Sequence, residues 1–238
     1  DAMSISEHIR TDDLMVVAAL RDSLGDDRVK ADRETRAFYA NDIFWQPGIA
    51  PLAVVMPSTA EELSAAVRIA TEAGISVVPR GGGMSYTKGY LPERSDSIVV
   101  DARDMNRIVE VNTADQYVTV EAGVTWEALN AALEGTGLRT GYWGPLSGIR
   151  ATVGGALSQN SAFFGSALNG TVAESVLGVT VVLADGRIVT TGSGGRKGTK
   201  PFTRFGGPDL TGLFLGDNGA MGVKAGATLR LWPKPAEV

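Results

Sequence analysis

The chain has 238 residues, of which 44% are hydrophobic and 21% are charged, and its formal net charge is −5. This composition is that of a globular protein with one large domain or two small lobes, and the acidic balance argues against a nucleic-acid surface, which needs a basic excess. The absence of cysteine excludes disulfides and thiolate nucleophiles, and a single histidine, His8, argues against a histidine-based triad or a multi-histidine metal site.

The amino-terminal residues bear on the location of the protein. Residues 1–14 lack the apolar core of a signal peptide, and no apolar run approaches the ~18 residues needed to span a bilayer. We therefore expect a cytoplasmic protein without a membrane span. Met3, preceded by Asp1 and Ala2, indicates a tag remnant before a native start, so we assign residues 1–29 to a tag remnant and a helical segment.

Residues 30–104 are predicted to form a small α/β lobe. An amphipathic helix at 11–25, which ends in a glycine, precedes this lobe. Apolar runs at 51–58, 75–80 and 95–103 predict three short strands. The first two strands flank a helix, and such a strand–helix–strand unit is expected to be parallel.

The helix between the first two strands carries its own start and stop signals. We expect Ser58 to cap it, with Glu61 at the capping-box position, and Gly74 to end it.

Residues 105–238 are predicted to form a larger lobe with a mainly antiparallel sheet. The predicted elements are, in order, a hairpin at 107–123, a helix at 125–137, a hairpin at 175–192, a helix at 208–216 and a last strand at 223–235 that Pro233 and Pro235 stop. In the second hairpin, Asp185 and Gly186 suit a tight primed turn.

Glycine is the unusual component of the sequence. The chain contains 30 glycines, whereas a typical composition would give about 17. They cluster between the predicted elements, at 81–83, 135–155, 192–198, 206–207 and 216–226. Glycine allows a backbone to approach a ligand closely, and it also fills plain turns, so the clusters by themselves fit both roles.

The segment "VVPRGGGMSYTKGYLP" at 77–92 has the chemistry of an anion site. Three consecutive glycines after Arg80 supply main-chain amides without Cβ atoms in the way, and Ser85 adds a hydroxyl. The segment fits neither the dinucleotide fingerprint, whose glycines lead into a helix, nor the Walker loop, and "GSGGRKGTK" at 192–200 does not fit the Walker loop either. A glycine-rich turn between strands remains the alternative.

Six segments in a fixed order resemble the FAD-binding domain of the FAD-linked oxidases. The segments are "PRGGG", "IVVDARDMNRIVEVN", "VTVEAGVTWEALNAAL", "RATVGGALSQNS", "GVTVVLADGRIVTTG" and "LFLGDNGAMGVKAGATLRLWPKP". This family includes vanillyl-alcohol oxidase, p-cresol methylhydroxylase, D-lactate dehydrogenases and the glycolate oxidase flavin subunit. The resemblance runs from about Pro51 to Pro235 and implies an α+β fold of the p-cresol methylhydroxylase type, in which two lobes hold FAD between them.

The resemblance also implies cofactor-binding residues. The loop that wraps the pyrophosphate corresponds to Arg80, Gly81, Gly82, Gly83, Met84, Ser85 and Tyr86. The segment beside the flavin and ribityl chain corresponds to Pro145, Leu146, Ser147, Thr152, Gly154, Gly155, Asn160 and Ser161. Val176 is expected at the ring or adenine end, and Gly222 and Val223 on the adenine side.

Several of these positions have an equally plain structural interpretation. The pair Gly154–Gly155 fits close helix packing as well as ligand contact, and Gly123 and Val124 fit strand termination as well as ligand contact. Four aromatic residues, Tyr142, Trp143, Phe163 and Phe164, could wall the flavin, although an aromatic side chain near a sheet is more often part of a core.

The sequence departs from the family at three places. Met84 occupies the position of a histidine that many relatives use to attach the flavin covalently, so we expect non-covalent FAD. Leu146 stands where some aryl-alcohol oxidases carry an aspartate, so this chain is not expected to supply that base. Asp217, Asn218 and Gly219 replace a segment in which relatives often carry a glutamate.

The implied function is oxidation of a hydroxy acid or an alcohol by hydride transfer to flavin N5. We expect a fragment without its substrate or cap domain, and we name no catalytic side chain. The expected partners are a small-molecule substrate, an unidentified electron acceptor, and either a further copy of the chain or a partner subunit. The alternatives are a redox-neutral enzyme like alkyl-glycerone-phosphate synthase and a non-catalytic flavin-binding module. We expect Gly82→Val to abolish FAD uptake and to leave the fold mostly intact.

Overall fold

The structure, a computed structural model, describes residues 11–44, 48–141 and 147–236. The helices are α1 (Thr11–Leu24), α2 (Arg33–Tyr39), α3 (Ala60–Glu72), α4 (Trp126–Leu133), α5 (Val153–Gln159) and α6 (Ser166–Asn169). The strands are β1 (Val29–Lys30), β2 (Ala53–Val55), β3 (Ser76–Arg80), β4 (Ser97–Asp101), β5 (Ile108–Asn112), β6 (Tyr117–Glu121), β7 (Leu138–Arg139), β8 (Val176–Val182), β9 (Ile188–Thr190), β10 (Val223–Arg230) and β11 (Trp232–Pro233). None of the helices within these ranges is long and apolar enough to cross a membrane.

The first sheet has the strand order β1-β2-β4-β3. Strands β2 and β3 both run parallel to β4, so the predicted parallel unit is confirmed, with β4 inserted between its two strands. Strands β2 and β4 are buried along their whole length, as continuous apolar runs in parallel sheets are. β3 lies at the edge, which tolerates the missing amide hydrogen of Pro79.

The predicted cap of α3 is wrong by one residue. The side chain of Thr59, not of Ser58, accepts the hydrogen bond from the Glu62 amide, at 3.1 Å. The Glu62 carboxylate, not that of Glu61, reaches back to the Ser58 amide, at 2.7 Å. The capping-box pattern fits both Ser58 with Glu61 and Thr59 with Glu62. The observed cap is the one that accompanies burial of Leu63, Ala66, Val67 and Ala70 on α3.

The second sheet is antiparallel throughout, with the strand order β5-β6-β10-β8-β9. Both predicted hairpins, β5–β6 and β8–β9, are confirmed. The prediction of a primed turn at Asp185 and Gly186 is wrong. Such a turn would need a positive φ at Asp185, whereas only Gly186 of the two has one, at 82°. The turn is instead closed by the Gly186 amide, which donates to the carbonyl of Leu183 at 2.9 Å.

The carboxyl-terminal third is less regular than the sequence predicts. Residues 208–216 contain a short 3-10 turn at Thr211–Phe214 in place of a helix, since Pro208, Gly212 and Gly216 interrupt the pattern. The last strand ends at Arg230, and the chain then forms β11, which pairs with β7.

A shared core joins the two lobes. Val182, Val223 and Ala225 of the second sheet pack in the same cluster as Val55 and Leu63 of the first lobe. Helix α1 belongs to this cluster through Val16, Val17 and Leu20. The Thr71 hydroxyl of α3 also donates to the carbonyl of Ala184, at 2.7 Å. The relative position of the lobes is therefore set by buried contacts.

A buried polar network fastens α2 to the end of β4. The Asp101 side chain, 1% exposed, accepts hydrogen bonds from the Tyr39 hydroxyl and from the Arg103 guanidinium, the latter at 2.6 Å. Burial, followed by the charge of Asp101, raises the pKa of Tyr39 to about 12. Tyr39 therefore stabilises the folded state at pH values below its ordinary pKa of 10, and this stabilisation is lost as the pH rises through about 12.

This network predicts an alkaline titration. We expect one of the five tyrosines to ionise with a midpoint near 12 in the absorbance of tyrosinate, and Tyr39→Phe to remove that component. The free energy of unfolding should fall between pH 10 and 12 in the wild type, and this fall should be shallower in Tyr39→Phe. Tyr86→Phe, which removes an exposed tyrosine, is the control; an equal effect of both variants would contradict the assignment.

Close main-chain packing at Gly123 gives a second prediction. A Cβ atom on Gly123 would lie 2.2 Å from the carbonyl oxygen of Ala102 and 2.7 Å from that of Met105. Gly123→Ala should lower the free energy of unfolding in urea by roughly 1–3 kcal/mol. Gly206→Ala, whose Cβ meets nothing within 4 Å, should change it by less than about 0.5 kcal/mol. Equal stability of the two variants would refute the packing argument.

Candidate functional site

A cavity of about 970 Å³ lies between the two lobes. The first lobe contributes residues 79–87, 89, 90 and 102. The second lobe contributes Ala122, residues of α5 and of the segments on either side of it, and the start of β10. The volume lies at the upper end of the ~300–1,000 Å³ that is usual for ligand pockets.

The glycine loop, residues 81–85, presents unused main-chain donors to this cavity. The amides of Gly82, Gly83, Met84 and Ser85 donate no hydrogen bond to any residue that the structure describes. The carbonyls of Gly83 and Ser85 are engaged by the Tyr90 hydroxyl, at 2.9 and 2.7 Å. Four consecutive amides without a described acceptor, in a loop whose carbonyls at Gly83 and Ser85 accept from Tyr90, are suited to bind an anion.

The bare backbone of the loop is also required by the protein itself. A Cβ on Gly81 would lie 2.2 Å from the Thr152 hydroxyl, and one on Gly82 would lie 1.8 Å from the Arg150 carbonyl oxygen. The expectation that Gly82→Val leaves the fold mostly intact is therefore wrong, because the new side chain would collide with main chain of the second lobe before any ligand is considered.

Arg80 places a positive charge beside the loop. Its guanidinium lies between the rings of Tyr39 and Tyr90, 4.8 and 4.6 Å from their centroids, and donates to the carbonyl of Asn41 at 3.0 Å. No carboxylate of the described residues forms an ion pair with it. Burial lowers the pKa of Arg80. A partly desolvated cation that forms no ion pair with a described carboxylate, next to four amides without a described acceptor, attracts an anionic ligand.

A second cation, Lys224, lies in another part of the cavity wall. Its side chain is 2% exposed, and Nζ is 2.5 Å from the Asp217 carboxylate. The same carboxylate accepts from the amides of Gly219 and Met221, at 3.1 and 3.2 Å. Burial lowers the pKa of Lys224, and the charge of Asp217 opposes that shift. The sequence signal for this residue is a lysine between the apolar residues Val223 and Ala225 at the start of β10.

Most of the predicted cofactor residues come together in this cavity. Its walls include Arg80, Gly81, Gly82, Gly83, Met84, Ser85, Tyr86, Ser147, Thr152, Gly154, Gly155, Asn160, Ser161 and Val223. Their contact with a cofactor stays a prediction.

Other predicted residues lie elsewhere. Val176 and Val124 are buried in the core of the second lobe, and Gly222 and Gly123 pack against neighbouring main chain, so none of the four lines the cavity. The remaining predicted positions, Pro145, Leu146, Tyr142 and Trp143, lie outside the described residues.

The two glycines of α5 have different surroundings. A Cβ on Gly154 would lie 2.7 Å from the Cβ of Ala122, so this glycine is required for close packing against β6. A Cβ on Gly155 would meet, among the described atoms, the Thr152 hydroxyl alone, at 3.2 Å. Because Gly155 also lines the cavity, its missing side chain leaves room inside the cavity.

Sequence reasoning missed about half of the wall. The cavity is also lined by Pro79, Thr87, Gly89, Tyr90, Ala102, Ala122, Ala151, Ala156, Ser158, Gln159, Ala162, Asn218 and Lys224. Phe163 and Phe164 line it too; Phe163 packs edge-to-face on the core residue Trp126, whereas Phe164 is 65% exposed. Small alanines and serines carry no sequence signal of their own, since they occur in any helix.

Metal chemistry has no evident site in the described ranges. No group of three or more histidine, cysteine, aspartate or glutamate residues there could hold a metal ion.

The sequence and the fold are similar to those of known proteins. Residues 51–192 match the family model described as an FAD binding domain. The chain is 34% identical over 199 residues to D-lactate dehydrogenase [cytochrome] 1 of Saccharomyces cerevisiae, covering 83% of this chain and 32% of that protein. It is 33% identical to a probable D-lactate dehydrogenase of Danio rerio, with 92% and 43% covered, and 32% identical to glycolate oxidase subunit GlcD of Bacillus subtilis, with 84% and 41% covered.

Solved structures share the fold at lower identity. An alkyldihydroxyacetonephosphate synthase superimposes with a TM-score of 0.80 at 22% identity, over 94% of this chain and 41% of that one. The p-cresol methylhydroxylase structure with substrate bound superimposes with a TM-score of 0.76 at 23% identity, over 94% and 44%. The predicted α+β fold of the p-cresol methylhydroxylase type is thus confirmed. The chain spans about a third to two fifths of the length of the relatives above, and it belongs to the FAD-binding domain family of the FAD-linked oxidases.

Proposed function

We propose that the chain is the FAD-binding part of a flavin-dependent oxidoreductase that oxidises a hydroxy acid or an alcohol. One observation carries the proposal: four amides, at residues 82–85, donate no hydrogen bond to a described residue and lie beside Arg80, which forms no ion pair with a described carboxylate, on the wall of one large cavity. The diphosphate of FAD is the part of the cofactor that such a group of donors would bind.

The charge of the cavity fits a dinucleotide. Its described lining residues include two cations, Arg80 and Lys224, and no carboxylate. The glycine loop and Arg80 would hold the diphosphate, and the remaining walls would hold the nucleoside and the flavin. When bound, FAD supplies a two-electron acceptor, and the protein supplies position and electrostatics.

The proposed substrate class comes from the relatives. Proteins at 32–34% identity are named for D-lactate and glycolate, which are both 2-hydroxy acids. We therefore place a hydroxy acid ahead of an alcohol. A redox-neutral reaction, as in the alkyldihydroxyacetonephosphate synthase, has support at the level of fold alone, at 22% identity. A non-catalytic flavin-binding module would bind FAD without reduction by substrate.

We further propose that the FAD is not covalently attached. Met84, a cavity residue whose side chain cannot form the usual histidyl link, follows the three glycines. The chain has no cysteine, and its single histidine is His8, far from this segment in sequence.

Flavin uptake tests the proposal directly. The flavin-free chain should take up about one FAD per chain, visible in the flavin absorption bands and as an increase in melting temperature, since a ligand that binds the native state stabilises it. Acid precipitation of the complex should leave the flavin in solution. A chain that takes up no FAD would contradict the proposed function, and a yellow precipitate would contradict non-covalent binding.

Gly155 offers a variant that fills the cavity without disturbing the fold. Gly155→Leu should weaken FAD binding at least ~10-fold, because the new side chain enters the cavity. Stability of the flavin-free chain should be unchanged or up to about 1 kcal/mol higher, because glycine is a poor helix residue.

The matched control for this variant is Gly206→Leu, at an open position that does not line the cavity. It should bind FAD as the wild type does. A folded Gly155→Leu chain with wild-type affinity, measured by calorimetry, would show that the cavity is not the FAD site.

A further inference from the structure

Tyr90 joins the glycine loop to Arg80 on the wall of the cavity. Its hydroxyl oxygen lies 2.9 Å from the carbonyl oxygen of Gly83 and 2.7 Å from that of Ser85. Its ring lies over the Arg80 guanidinium, whose central carbon is 4.6 Å from the ring centroid. Tyr90 is 7% exposed, and burial raises its pKa, so the hydroxyl keeps its hydrogen at neutral pH. The packed ring thus holds one hydroxyl donor against two loop carbonyls.

The two carbonyls that accept from Tyr90 belong to alternate peptide groups of the loop. The Gly83 carbonyl shares its peptide plane with the Met84 amide. The Ser85 carbonyl shares its plane with the Tyr86 amide. In a trans peptide the C=O and N–H bonds point in opposite directions. A hydroxyl that attracts both carbonyls therefore turns the Met84 and Tyr86 amide hydrogens to the opposite side of the loop.

The loop residues do not fix this orientation by themselves. Gly83 has a positive φ of 67°, and glycine adopts other backbone conformations about as readily. The Met84 and Tyr86 amides donate to no described residue, although both residues line the cavity. Without the hydroxyl, either peptide group could rotate and present a carbonyl oxygen, which repels an anion, in place of an amide. The direction of these two donors therefore depends on Tyr90.

We infer that Tyr90 is a positioning residue for the diphosphate site, because its hydroxyl orients the Met84 and Tyr86 amides toward the ligand. This inference rests on the proposed FAD site and deepens it. Tyr90 acts through the loop and needs no contact of its own with the cofactor. A purely structural role, in which the hydroxyl stabilises the fold and leaves anion binding unaffected, is the alternative that the experiment has to exclude.

Two tyrosine variants separate positioning from structural support. Tyr90→Phe removes the hydroxyl and keeps the ring that packs on Arg80. Tyr117→Phe is the matched control, because Tyr117 is fully buried, does not line the cavity, and donates through its hydroxyl to Glu110 at 3.0 Å. Each variant loses one hydroxyl donor from a buried ring. Melting temperatures of the flavin-free chains establish that each variant is folded.

Inorganic pyrophosphate and FAD are the probes. Pyrophosphate, titrated at constant ionic strength into flavin-free chain labelled with nitrogen-15, should shift the NMR signals of the Met84 and Tyr86 amides in the wild type. Tyr90→Phe should need at least ~10-fold more pyrophosphate for the same shift, since two charge-assisted hydrogen bonds lose their preset direction. By calorimetry, Tyr90→Phe should bind FAD roughly ten- to a hundredfold more weakly than the wild type. Tyr117→Phe should bind both probes as the wild type does.

Three results would overturn the inference alone, in a wild-type chain that takes up FAD. These are wild-type amide signals at Met84 and Tyr86 that do not respond to pyrophosphate, wild-type affinities in folded Tyr90→Phe, and equal losses in Tyr90→Phe and Tyr117→Phe. The first result needs no variant, so it decides the question even if Tyr90→Phe does not fold. A wild-type chain that takes up no FAD would overturn the proposed function, and this inference with it.

Discussion

The candidate site depends on one contact between the lobes, made main chain to main chain. The glycine loop of the first lobe lies so close to residues 150–152 of the second that a Cβ on Gly82 would be 1.8 Å from a carbonyl oxygen. No side chain fits between them, so the loop is held where its amides face no described acceptor. The shared core of α3, β8 and β10 keeps the lobes at this distance. The absence of side chains in the glycine loop therefore allows the close contact between the lobes and also leaves the loop amides accessible to a ligand.

Electrostatics divides the cavity into unlike regions. Arg80 is supported by two tyrosine rings and main-chain carbonyls, groups that hold a guanidinium without neutralising it. Lys224 is neutralised by Asp217. Two cations in one cavity would repel each other, and the Asp217 carboxylate beside Lys224 reduces this repulsion.

The comparisons bear on fold and on chemistry to different degrees. Structures with different reactions, a synthase and a methylhydroxylase, superimpose on nearly the whole chain. The shared fold therefore does not determine the reaction, which depends on the particular groups in the site. The sequence relatives at 32–34% identity are named for D-lactate and glycolate, and these names support the proposed hydroxy-acid substrate class.

The sequence by itself determined the two sheets and the loop at 81–85, because these rest on local patterns: apolar runs, paired hairpin strands and consecutive glycines. It indicated the family through the resemblance of six segments in a fixed order. It could not determine the cap register of α3, since Thr59 and Ser58 offer the same pattern, nor which glycine of α5 has room for a side chain. Tertiary structure alone decided that Gly82 abuts Arg150, that Tyr90 holds the loop carbonyls, and that Lys224 meets Asp217. These contacts join residues on separate elements, and their partners follow from how two lobes pack, which no local pattern encodes.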